Sequence, residues 1–257
     1  MADRSAGPAE PPPRSEARPP TLPLVLLVGL AAAAVSVGAQ AQPFAPLCDG
    51  ETVPVREVVV HAGEGERHLL WELPARAALW EYGAPRLAAL DEYGRWLRSR
   101  SPEELEADEI LDLEREINAA VVEGRLGVLR PLNCLESHLL ARQVDLNGVG
   151  QMREFVAYVL SLGTSGQLKL YWLTGPNELP PKDDRIKALI RSDLQQGWRL
   201  REIIHNHTGP APAAAPSAGD AQYGLAWAEA GVQRFVVIGG LRALDLSAAE
   251  LRAFMQQ

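Results

Sequence analysis

Apolar and polar positions along the chain follow two rhythms, and the change between them predicts the fold. Residues 53–62, VPVREVVVHA, alternate weakly and are rich in valine, which predicts a strand. Residues 71–98 carry leucines and tryptophans at helical spacing, broken by Gly83 and Pro85, which predicts two short helices. Ser101-Pro102-Glu103-Glu104 sets a capping serine, a first-turn proline and acids in order, so a helix is predicted from there to about Glu123, ended by Gly124. Beyond it, segments 135–144, 154–162, 167–173, 199–205 and 234–239 read as strands, with a hairpin turn at 163–166. Segments 181–196, 217–230 and 247–255 read as helices, the last with Glu250 three residues after a serine cap. The expected class is α/β in the mixed, α+β sense. No internal repeat is present.

The first 41 residues stand apart from this pattern. Seven prolines fall within the first 23 residues, among alanine, serine and charge, with almost nothing to bury, so this stretch is expected to be disordered. Residues 22–39 are an unbroken apolar or small-residue run, and Ala39-Gln40-Ala41 has the small-x-small form of a signal-peptide cleavage site. The run is of the length that barely spans a bilayer, so it reads as a cleaved signal or an uncleaved anchor rather than a core helix. Both readings export the rest of the chain, to a periplasmic or secreted location or to a membrane-anchored one. Domain organisation follows: a leader over 1–41, an N-terminal extension over 42–102 and a main domain over 103–257.

Charge and cysteine content narrow the chemistry. The leader's three arginines balance its one aspartate and two glutamates, so the whole net charge of −8 belongs to the exported part. That charge, the export signal and the lack of a basic aromatic stripe argue against a nucleic-acid partner. The six tryptophans are expected in the core. Cys48 and Cys134 both follow the leader, where disulfides persist, and read either as a bridge worth roughly 4 kcal/mol or as two separate buried thiols. Two cysteines cannot make a cysteine-based zinc cluster, so any zinc must sit on histidine and carboxylate.

His205-Asn206-His207 closes the predicted strand REIIHNH. Residues two apart on a strand face the same way, so both imidazoles address one site. A loop of glycine, alanine and proline follows, then Ser217-Ala218-Gly219-Asp220 at the next predicted helix start. Asp220 reads either as a helix cap with Ser217 or as a third metal ligand. Two imidazoles and one carboxylate, with a fourth position for water, match hydrolytic zinc sites.

His205, His207, Pro216, Ser217 and Asp220, in this order and context, resemble the JAMM motif of the MPN/JAB-domain zinc metalloproteases. The resemblance spans about residue 103 to the end. Asn206 stands where serine or threonine is usual, Thr208 where proline is usual, and the spacer to Ser217 is two residues longer. The resemblance implies an MPN/JAB-like mixed sheet with cytidine-deaminase-like layering, a Zn2+ cofactor on His205, His207 and Asp220, and hydrolysis of a peptide or isopeptide bond in a peptide or protein substrate. The family's general base is a glutamate near the start of a strand preceded by a helix. LNCLESHLLARQ resembles that segment, which makes Glu136 the expected base, with an exposed strand-edge glutamate as the alternative. Glu154, Glu178 and Glu202 fit the order of elements less well. Ser217 is expected to hydrogen-bond the developing oxyanion. His138 would share a strand face with Glu136, and His61 and His68 carry no assignment. The competing reading is an inactive MPN-like binding or scaffold domain on the export side of the membrane.

Overall fold

The computed structural model describes residues 55–63, 66–82, 87–99, 112–163, 165–175, 184–208 and 215–256, all within one compact unit. The leader, Cys48 and the start of the helix expected from Ser101 lie outside these residues. No helix among the described residues is long and apolar enough to cross a membrane.

Eight strands form one mixed sheet: β1 (Arg56–Gly63), β2 (Glu66–Pro74), β3 (Val128–Pro131), β4 (Phe155–Leu162), β5 (Gln167–Thr174), β6 (Trp198–Asn206), β7 (Arg234–Gly239) and β8 (Arg242–Leu246). Their order is β1-β2-β5-β4-β6-β7-β8-β3, antiparallel except where β6 meets β7. Among the described residues, six α-helices accompany the sheet: α1 (Ala88–Ser99), α2 (Asp112–Val122), α3 (Cys134–Asn147), α4 (Asp184–Gln195), α5 (Ala218–Ala228) and α6 (Ala248–Phe254). The protein is therefore a mixed α/β structure.

Alternation along the strands builds a core on each face. Phe155, Ala157 and Val159 of β4 join Trp172 of β5, Val236 of β7 and the buried sides of α1 and α3. Val156, Tyr158 and Leu160 face the other way, among residues of α2, α4, α5 and α6. The hairpin β1–β2 belongs to the same sheet, since β2 pairs with β5 over Arg67–Pro74. Residues 56–74 of the expected extension thus complete the sheet, and Leu69 and Trp71 are core residues.

Two sequence expectations need correction. Residues 71–98 hold one α-helix, not two, because Trp71–Pro74 finish β2 and Ala77–Trp80 make only a 3-10 turn. Residues 135–144 form not a strand but most of α3. Leu135, Leu139, Leu140 and Val144 are spaced for a helix, and Asn133 with Glu136 makes a reciprocal capping box at its start. Strands β2, β3 and β8 were not expected.

The crossover β6–α5–β7 joins two parallel neighbours and places the start of α5 outside the carboxyl end of β6, where open sheets bind ligands. Gly224 lets α5 approach the sheet closely: a Cβ there would lie 2.8 Å from Leu251 Cδ1 and 3.2 Å from Phe235 Cδ2.

Candidate metal centre at the carboxyl end of β6

β6 presents Ile203 and His205 to the face covered by α5 and Asn206 to the face covered by α3, and His207 follows directly after the strand beside His205. The His205 and His207 rings lie 5.0 Å apart at 77°. His207 is anchored by its amide, which donates to Ile238 O of β7 at 2.8 Å. His205 is buried, and its Nδ1 is 2.9 Å from Phe155 O. A carbonyl only accepts, so Nδ1 carries the proton and Nε2 keeps its lone pair.

Asp220 reaches both imidazoles from the first turn of α5. Its Oδ1 is 3.4 Å from His205 Nε2 and its Oδ2 is 3.1 Å from His207 Nε2. Ser217 completes a capping box: its backbone N and its Oγ each donate to Asp220 Oδ2 at 2.8 Å, and Oγ accepts from the Asp220 amide at 3.1 Å. The cap and the ligand-like placement of Asp220 therefore coexist. Ser217 has one hydroxyl proton, and it is directed at Asp220 rather than into open space, which leaves no donor for an oxyanion in this arrangement.

Topology supplies a fourth residue. Because β4 runs antiparallel to β6, its amino end lies beside the carboxyl end of β6, with Val156 opposite His205. Glu154, two residues before Val156, falls on the same face, and its Oε2 is 3.8 Å from His205 Nε2. Glu154, His205 and His207 each offer a ligand atom within 4.8 Å of the others.

The electrostatics fit a cation. Burial, then the neighbouring His207, pulls His205 down to about 4 against the opposing pull of Asp220 and the Phe155 carbonyl, so the imidazole is neutral at physiological pH. Burial pushes Asp220 up, but the hydrogen bond from His207, the charge of both imidazoles and the Ser217 amide outweigh it and hold the carboxylate below its usual range. Lone pairs of one neutral imidazole and two carboxylates thus converge with no proton between them at His205 Nε2. A nitrogen and oxygen donor set of this kind suits zinc.

Glu136 is placed elsewhere. It is fully buried on α3, on the opposite face of the sheet, with Oε1 and Oε2 each 2.6 Å from the Arg130 guanidinium. Oε2 also accepts from the Asn133 amide at 2.8 Å. Its expected place beside the histidines depended on a strand at 135–144. The feature sought there, a glutamate opening a strand that follows a helix, occurs at Glu154, ahead of β4 and after α3. The chain matches no family model, no curated protein and no solved structure.

Proposed function

We propose that this protein is an exported zinc-dependent hydrolase of the JAMM/MPN kind, with an MPN/JAB-like sheet, that cleaves a peptide or isopeptide bond. The observation that carries the reading is the convergence of Asp220 and Glu154 oxygens on His205 Nε2, the ring nitrogen left without a proton by the Phe155 O contact. His205, His207 and Asp220 would hold the metal, which would supply a Lewis acid and bring a water's pKa to about 7. Glu154, in place of Glu136, takes a proton from the attacking water and returns it to the leaving amine. Ser217 fixes the rotamer of Asp220 through its hydroxyl and amide. Phe155 O fixes the tautomer of His205, so that Nε2 faces the metal.

The test is metal analysis of purified protein dialysed against zinc. About one zinc per folded chain is expected, lost in His205→Ala and in Asp220→Ala and retained in Glu136→Gln. Folded wild-type protein without bound zinc overturns the reading.

A further inference from the structure

We propose that Asn206, the residue between the two histidines, is the positioning residue for Glu154; the inference rests on the reading of this site as a metal centre. Glu154 precedes β4, and its own peptide groups are gripped by side chains. Phe155 N donates to Asn206 Oδ1 at 2.5 Å, and Asn206 Nδ2 donates to Arg153 O at 3.2 Å. One side chain therefore brackets Glu154 on both sides. Gln143 Nε2 of α3 donates to the same Arg153 carbonyl at 2.6 Å, and Thr174 Oγ1 of β5 donates to Glu154 O at 3.2 Å. Asn206 and Gln143 are fully buried and Thr174 nearly so.

The chemistry of the bracket requires an amide. It needs one acceptor for the Phe155 N–H and one donor for the Arg153 carbonyl, held at a fixed separation on a short stem. Aspartate lacks the donor, and serine must use one atom for both tasks. The geometry also couples the parts of the site. His205 Nδ1 donates to Phe155 O, so neighbouring residues 205 and 206 grip the same three-residue segment, one from each face of the sheet. The motif that supplies the ligands thereby sets the place of the carboxylate. A shift of about 1 Å in such a group is enough to cost roughly 100-fold in rate. The presence of asparagine at this position of the motif is explained by this bracket.

A double-mutant cycle on the full chain tests the role, with cobalt(II) affinity and the cobalt visible spectrum as readouts and circular dichroism to verify folding. Glu154→Gln is expected to weaken cobalt binding by about 10-fold and alter the spectrum, as loss of a supporting partner does. Asn206→Ala is expected to do the same, and the double variant to be no more than about 2-fold weaker than either single. Asn206→Ser serves as the second variant if alanine does not fold. Additive losses, or a folded Asn206 variant with wild-type affinity and spectrum, overturn the positioning role while leaving the metal centre intact. Wild-type protein that binds no cobalt overturns the metal reading, and this inference with it.

Discussion

On the α3 face of the sheet, Arg130 lies between Glu136 and Asp245, and Arg234 between Glu202 and Asp245; on the α5 face, His205 and His207 lie between Asp220 and Glu154. Both clusters are buried or half-buried, carboxylate-rich and reached by residues distant in sequence. They differ in how their lone pairs are met. Arg130 fills both oxygens of Glu136 and, with its Nε and Nη2, both oxygens of Asp245 at 2.7 and 2.6 Å. A guanidinium brings its own donors in a fixed fork, so the pairs that Arg130 makes with Glu136 and Asp245 are complete as folded. A neutral imidazole whose one proton is already committed brings only a lone pair, so under the proposed reading a cation completes the other cluster. A charged residue buried among matched partners is thus evidence about folding, whereas carboxylates gathered on an imidazole nitrogen that carries no proton point toward a ligand.

The largest expected effect is on the matched cluster. Glu136→Ala leaves Arg130 short of a buried partner and removes half of the α3 capping box, and should cost about 3–5 kcal/mol in urea unfolding while leaving zinc content unchanged. Loss of zinc without loss of stability would exchange the roles of the two clusters. Next comes the unmatched cluster. Zinc at 100 times its Kd should raise wild-type stability by about 2.7 kcal/mol and that of His205→Ala by nothing. Equal gains in both proteins would remove the distinction between the faces.

A smaller effect depends on pH and is shared by the faces, since burial pulls both His138 and His205 down to about 4. Burial pulls the His138 imidazole of α3 down to about 4. The unfolded chain takes that proton first, near 6.5, so stability from this group is full above about pH 6.5 and falls as pH drops toward 4. In His138→Leu, the slope of stability against pH in that window should flatten by about 1.4 kcal/mol per pH unit. An unchanged slope would show that the buried imidazole of α3 does not contribute to acid sensitivity.

The gathering of His205, His207, Ser217 and Asp220 was legible in the sequence because each signal is local. His205 and His207 need only the period of a strand, and Ser217 with Asp220 only the first turn of a helix. The frame around them was legible in β4, β5, β6 and β7 because each is a short segment dominated by apolar residues and buried over most of its length. α3 was misread because Cys134 through Ala141 are all buried, so the helix has no polar face to mark its period. The role of Glu154 is not local at all. It depends on β4 lying antiparallel beside β6, a pairing between segments some fifty residues apart. The bracket by Asn206 is hidden for the same reason, since nothing in His-Asn-His says which backbone the amide will meet.

The antiparallel register of β4 against β6 also makes the site a report on folding. Side chains alternate along a strand, so a slip of β4 by one residue turns Glu154 to the α3 face and presents Phe155 to the histidines. If the proposed metal binds, its uptake would count correctly aligned chains, and chelation during refolding should show whether this pairing forms early or is the last step to close.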